Sequence, residues 1–445
     1  MSDDPTAEVT ALLQQLIRNT CVNDGTDASG QEVRSVDLLR DHLSGAGLEL
    51  EAYEPVPGRS SLVARIDGSD PTAPTLLLMG HTDVVPVSPD RWSRDPHGGE
   101  LVDGVVWGRG AIDMLNLTAS MAVAVRRLAR SGFRPRGTLV YLAVADEEAG
   151  GGHGAGWLTR NRRDAVAADY VVTESGGVPI DTPAGRRLWV TVGEKGTNWL
   201  RLAVRGTAGH GSRPLRTDNA LIKAAEVVRR LAEHRPAAHI TDVWRRFVEG
   251  MGLPDDVAAL MVDPERVWEA IESLPLSMAQ LVHANTHLTV APTVAHGGVK
   301  TNVIPDRIEL EVDIRTLPGQ TPVDVSAFLD EALGDLRGEV EVTSTMQQDL
   351  PSVSPIDTPL WDALTRAAAR VHPDAVCVPN LTTGGTDARF FRELGIPAYG
   401  FGLFSRRMTI DQYATMFHGD DERVDQDSLR LSTELWEAVA RDLLA

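Results

Sequence analysis

Cysteine is almost missing from this chain: Cys21 and Cys377 are the only two in 445 residues. That excludes a disulfide framework and a zinc–thiolate cluster, and a buried structural role is expected for each thiol. Any metal must therefore be held by histidine and carboxylate. Positive charge is also short, with 43 Lys and Arg against 63 Asp and Glu and a formal net charge of -20. Nucleic acid and an anionic membrane surface are poor partners for such a chain. No apolar run is long enough to span a bilayer. Met1-Ser2-Asp3-Asp4-Pro5 has neither the basic start nor the apolar run of a secretory leader, so a cytoplasmic protein is expected. Internal repeats and low-complexity tracts are absent as well. The hydrophobic share of 42% is that of a globular protein with a large core.

Strand and helix patterns alternate through the first part. Helices are expected over 6–18 and 31–44, and strands over 48–53, 62–66 and 75–79. The apolar run Thr75-Leu76-Leu77-Leu78-Met79 reads as a buried parallel strand, and it leads into Gly80-His81-Thr82-Asp83-Val84-Val85-Pro86. A helix over 117–130 and a strand over 138–145 follow, the strand running directly into Asp146-Glu147-Glu148. Another strand, 170–173, ends in Glu174. This alternation predicts an α/β fold with a mostly parallel sheet flanked by helices. Near Gly196 the pattern changes to alternating strands (199–204, 287–294, 307–314, 340–346) with two main helices (219–233, 322–333) and a helical stretch over 240–282. These features predict an inserted α+β module. The parallel character returns at Pro351, with helices over 359–371 and 427–444 and a strand over 397–401. The expected division is 1–195 and 351–445 for the first domain and 196–350 for the insertion.

The chemistry gathers at strand ends. His81 follows a buried strand, where open α/β sheets bind ligands, and could ligate a metal through one ring nitrogen. Asp83, two residues on, could hold the other ring N–H and fix the tautomer. Asp113, Glu147, Glu148 and Glu174 stand at the same kind of position, and carboxylates crowded on one sheet edge repel unless cations neutralise them. Each acid alone would read as a helix cap or a solvated loop residue. As a set they point to metal. The glycine-rich run 150–156 is no phosphate loop, because three acids precede it and no Lys-Ser/Thr follows. A Gly-x-Ser-x-Gly elbow is also missing, which argues against a serine hydrolase.

The motifs His81-Thr82-Asp83-Val84-Val85-Pro86, Gly108-Arg109-Gly110-Ala111-Ile112-Asp113-Met114, Asp146-Glu147-Glu148, Glu174-Ser175-Gly176, Gly209-His210-Gly211-Ser212, Thr301-Asn302-Val303-Ile304-Pro305, Gly384-Gly385-Thr386-Asp387 and Phe417-His418-Gly419 occur in this order. With them the chain resembles the M20 metallopeptidase family of aminoacylases, deacylases, carboxypeptidases and dipeptidases. The long insertion and His418-Gly419-Asp420-Asp421-Glu422-Arg423 make it most similar to the carboxypeptidase S and N-acyl-amino-acid hydrolase branch. The resemblance implies two divalent metal ions, usually Zn2+, with Co2+ or Mn2+ able to serve. Asp113 would bridge them, His81 and Glu174 would complete one position, and Glu148 and His418 the other. It also implies a cis peptide bond between Asp113 and Met114. Glu147 would be the general base, taking a proton from a water between the two metals and returning it to the leaving amine. His210, often supplied by the partner subunit, would stabilise the oxyanion. Arg315 would bind the substrate carboxylate, helped by Asn302, Gly384, Gly385 and Thr386. A homodimer through the inserted lid domain is implied too. Leu115-Asn116 departs from the Lys-Gly that many relatives carry there, without loss of a ligand. A glutamate at 174 is typical of deacylases and carboxypeptidases, so hydrolysis of a small N-acyl amino acid is the expected activity. A dipeptidase or carboxypeptidase is the alternative. A metal-binding scaffold without catalysis is a third reading, against which the retention of Glu147 argues.

Overall fold

The computed structural model describes residues 4–345 and 348–445. Met1, Ser2 and Asp3, read above for a leader, lie outside the described residues, as does Met346. Strand residues that are apolar on both faces need cover on both sides. Leu76, Leu77, Leu78 and Met79 are all fully buried. Leu76 and Leu78 pack under the helices Thr6–Arg18, Leu115–Arg130, Pro359–Val371 and Gln426–Leu443. Leu77 and Met79 face the other way, against Ala155–Asn161 and Ala388–Arg392. Each such leucine contributes about 1.5–3 kcal/mol relative to an exposed one.

Thr75–His81 pairs in parallel with Thr138–Val144 on one side and with Tyr170–Thr173 on the other, and Ala398–Gly400 continues the parallel run. This parallel centre belongs to a ten-stranded sheet. Antiparallel strands flank it: Glu49–Val56 with Arg59–Ile66 at one side, Gly176–Thr182 with Gly185–Glu194 at the other. The α/β expectation holds. The Gly176–Thr182/Gly185–Glu194 hairpin and the Ala375–Thr382 strand were not legible in the sequence, because Gly176, Gly177 and Pro179 break up the first and Pro379 the second.

A second, antiparallel sheet has the order Thr289–Gly297, Arg307–Thr316, Gly196–Arg205, Val340–Ser344. Ile308, Leu310, Val312 and Ile314 alternate inward along Arg307–Thr316 and pack under Ala220–Glu233 and Pro322–Leu333. The strand expected over 340–346 is observed as Val340–Ser344. Four helices, Asp242–Met251, Asp255–Val262, Val267–Ser273 and Leu276–Thr286, fill the expected helical stretch. They pack around Trp244 and Phe247 and reach Val378 of the large sheet. Among the described residues no helix is long and apolar enough to cross a membrane.

Candidate metal centre

A side chain at Gly80 would collide with Thr118 Oγ1. Glycine therefore lets the Thr75–His81 strand lie close against the Leu115–Arg130 helix. The same hydroxyl donates to the His81 carbonyl at 2.8 Å, which fixes where the strand delivers its histidine. The His81 ring is buried, with Nδ1 2.9 Å from the main-chain oxygen of Asp83. The Asp83 carboxylate is farther away, at 3.7 Å. Asp83 thus orients the ring, but through its carbonyl and not, as expected, through its side chain. The carboxylate is used elsewhere: it accepts from the N–H groups of Glu147 (3.3 Å) and Glu148 (3.1 Å) and from Asn23 Nδ2 (2.8 Å). It pins the turn that carries both glutamates.

Asp113 stands at the centre. Its Oδ1 is 3.2 Å from His81 Nε2 and its Oδ2 3.3 Å from His418 Nε2, so each oxygen faces a different histidine. Glu174 Oε2 lies 3.8 Å from His81 Nε2, and Glu148 Oε2 lies 3.2 Å from His418 Nε2. His81, Asp113 and Glu174 form one set of possible ligand atoms, all within 4.8 Å of one another, and Asp113, Glu148 and His418 form a second. Glu147 joins His81 and Glu148 in a third. Glu148 Oε1 is buried without a hydrogen-bond partner. Histidine and carboxylate donors with an unused buried oxygen fit divalent cations such as zinc, manganese or cobalt.

The electrostatics agree with the geometry. Burial raises the carboxyl pKa of Glu147 well above its ordinary value, and Glu174 and Glu148 nearby add to the rise. Burial and the Asp113 charge push Glu174 up to about 8. Hydrogen bonds to Asp113 and Glu148 raise His418 to about 10. For His81, burial works downward, but Asp113 and Glu174 outweigh it and hold the ring well above its usual value. For Asp113 burial works upward, but His418 and His81 outweigh it and hold the carboxyl well below its usual value. Raised carboxyls and raised histidines around one ionised aspartate are what a cation site looks like when protons take the place of the cations.

The loops that bring these groups together are held under strain. Asp146, Ser175 and His418, none of them glycine, have φ of 73°, 77° and 53°. The Asp113–Met114 peptide bond is cis. Two buried ion networks pin the loops. Glu422 accepts from the N–H groups of Gly110 (2.9 Å), Ile112 (2.6 Å) and Asp113 (2.9 Å) and from Arg109 Nη1 (2.8 Å), tying the Asp113 loop to the His418 loop. Arg59 bonds to Asp146 and lies 3.3 Å from Glu32 beneath the Glu147-Glu148 turn. Neither network, nor Asn23, was assigned from the sequence. Glu422 and Asp146 stand in motifs quoted above; Asn23, Arg59 and Glu32 carry no such signal.

The other expected site residues make no hydrogen bond or ion pair with this cluster among the described residues. His210 is exposed and pairs with Val303 in a short ladder, next to Asn302, whose carbonyl accepts from Gly211 N at 2.8 Å. Among the described residues the His210 ring bonds to Ser212, at 2.7 Å to its hydroxyl. Arg315, on the second sheet, is paired with Asp313 (2.7 and 3.1 Å) and with Thr197 Oγ1 (2.8 Å). Gly384 and Gly385 are exposed, while Thr386 is buried and donates to Glu194 at 2.6 Å from its N–H and 2.9 Å from its hydroxyl.

Known proteins resemble the chain throughout its length. Aminoacylase-1 of Mus musculus is 28% identical over 439 residues, covering 95% of this chain and 93% of its own. The M20 family metallo-carboxypeptidase Sso-CP2 from Sulfolobus solfataricus has a TM-score of 0.71 at 19% identity, with 100% of this chain and 99% of that one covered. The YXEP protein of Bacillus subtilis, described as a dinuclear metal binding peptidase from the M20 family, has a TM-score of 0.60 at 15% identity, covering 98% and 99%. The family model of peptidase family M20/M25/M40 matches residues 77–442, a span that holds the whole histidine–carboxylate cluster, and the chain belongs to that family.

Proposed function

We propose that the protein hydrolyses the amide bond of N-acyl amino acids, using two divalent cations, zinc first among them. His81, Asp113 and Glu174 hold one, and Asp113, Glu148 and His418 hold the other. The reading rests above all on the Asp113 carboxylate, whose two oxygens face two different histidines. Bound there, the cations supply a Lewis acid for the carbonyl oxygen and make a neighbouring water more acidic. Glu147 is the general base. Its carboxyl lies beside His81 and Glu148 but is not needed by either three-residue set around Asp113. It takes a proton from the attacking water and returns it to the leaving amine. Asp83 keeps Glu147 in place through the main-chain N–H. The name of the mouse relative, aminoacylase-1, supports an acyl amino acid as substrate.

Arg315 is assigned to the substrate carboxylate, with Asn302, Gly384, Gly385 and Thr386 around it. The segment 196–350 acts as a lid domain through which two chains pair, so that His210 of one chain serves the oxyanion in the other. The deciding experiment compares acetyl and long-chain N-acyl amino acids with dipeptides, for wild type and Glu147→Gln, with zinc, cobalt or manganese added. The variant should keep its metal and lose about 100- to 10,000-fold in turnover, or about 3–5 kcal/mol. Near-normal turnover by the metal-loaded variant would remove Glu147 from the reaction. Cleavage of dipeptides alone would replace the acyl amino acid with a peptide.

A further inference from the structure

A cavity of about 390 Å³ opens immediately beside the histidine–carboxylate cluster. Its lining starts at Ser175, one residue after Glu174, and ends at Phe417, one residue before His418. The walls between are mostly apolar, with Val178, Trp189, Leu281, Leu381, Tyr413 and Phe417, and carry Thr191, Asn380, Thr382 and Thr383 as polar members. The polar ends of the two amphipathic rings are already used by the protein. Trp189 Nε1 points to Met251 Sδ at 3.4 Å, and Tyr413 Oη accepts from Gly176 N at 3.3 Å. Their apolar parts are left for the cavity. Tyr413 and Phe417 pack edge to face, with centroids 4.9 Å apart, which stiffens that wall.

One wall comes from elsewhere in the chain. Leu281 belongs to Leu276–Thr286, the last of the four inserted helices. That helix is tied down by Lys195, a buried residue at the junction of the two sheets. Its Nζ donates to the carbonyls of Ala284 (2.8 Å) and His287 (2.9 Å), satisfying acceptors at the helix end. Val282, next to Leu281, is fully buried in the helical core. The leucine is thus held in place in the cavity wall.

We propose that this cavity takes one bulky apolar group flanking the scissile amide, and that Leu281 sets its size limit. A cavity of about 150 Å³ takes a benzene ring. The space here is more than twice that, enough for an aromatic or branched group, and Leu281 is the one lining residue that the inserted helices supply. The inference rests on the amide-hydrolase reading, and the apolar group could be the acyl chain or the amino-acid side chain.

Two substrate series separate these sources: N-acylalanines of growing acyl length, and N-acetyl amino acids running from alanine through valine and leucine to phenylalanine. Each is read as kcat/KM for the metal-loaded enzyme and as Kd by calorimetry on the metal-loaded Glu147→Gln variant. One series should gain about fourfold per added methylene and then stop. Leu281→Ala should move the stop to larger groups, and Leu281→Trp should move it to smaller ones, lowering the large-to-small ratio at least about tenfold. The series that responds identifies the group. Two flat series, or a stop that neither variant moves, would overturn the inference while leaving amide hydrolysis intact. Absent turnover with size-graded Kd values would instead sink the hydrolase reading and keep the cavity.

Discussion

Glu422→Gln exchanges one oxygen for an NH2 group and should disturb both halves of the centre. The carboxylate accepts four hydrogen bonds in a fully buried place: Oε1 from Ile112 and Asp113 N–H, Oε2 from Gly110 N–H and Arg109 Nη1. A glutamine keeps one oxygen, whichever way the amide is turned, and presents an N–H2 group to the other two donors. Two buried donors are then left without acceptors, at about 1–3 kcal/mol each, so about 2–6 kcal/mol in all. Part of this falls on the Asp113 backbone, and the rest on the contact between the Asp113 and His418 loops. Urea unfolding followed by tryptophan fluorescence measures the first effect, since the Arg109 guanidinium lies over the Trp92 ring at 5.3 Å. Metal content after dialysis against limiting zinc measures the second, and it should fall. Adding Arg109→Met should cost less than the sum of the two single changes, because each removes the other's stranded partner. A loss below about 1 kcal/mol, with metal content kept, would refute the clamp.

Asp113→Ala should lower occupancy at both metal positions, whereas His418→Ala should spare the one at His81 and Glu174; elemental analysis showing two full sites in Asp113→Ala would contradict the shared ligand. For the cation-free protein, Glu174 rises from 4.5 to about 8 and His418 from 6.5 to about 10, so both bind protons more tightly folded than unfolded. The stability they lend is complete below the lower values and is lost as pH climbs through the higher ones. Melting temperature should therefore fall from about pH 4.5 to about pH 10, most steeply between about 6.5 and 8, and saturating zinc should flatten the curve; a flat or rising cation-free curve counts against this electrostatic account. If paired chains exchange His210, re-pairing equal amounts of Glu147→Ala and His210→Ala should restore about a quarter of wild-type activity, since half the dimers are mixed and each has one intact site. Proven mixed dimers without activity would confine His210 to its own chain.

The parallel centre could be read from the chain because its strands are apolar on both faces and end abruptly in acids or histidine. Thr75–His81 and Tyr170–Thr173 are of this kind, and His81 and Glu174 were found for that reason. The Gly176–Thr182/Gly185–Glu194 hairpin was hidden because glycine and proline interrupt its alternation. Asp83 was recognised as a partner of His81 but given the wrong atom: the choice between carbonyl and carboxylate depends on where the chain turns after the strand. Glu422 stood in a recognised motif, yet its partners are main-chain N–H groups more than 300 residues earlier, and periodicity carries no trace of such a contact. Asn23 and Arg59 reach the site only through folding of the first helices and the edge hairpin against it.

The two histidines differ in one respect that bears on time. The His81 side chain is 1% exposed, sealed between strand and helix, while that of His418 is 57% exposed on a loop. If two ions bind as proposed, one on the His418 side would be released without any strand moving, whereas one on the His81 side would leave only after the first had gone or the sheet edge had opened. Loading and stripping would then be ordered events, inner ion first in and last out. A chelator should remove the outer ion in a fast phase and the inner one in a slow phase. Between the phases stands a half-loaded protein into which a second, different metal can be placed.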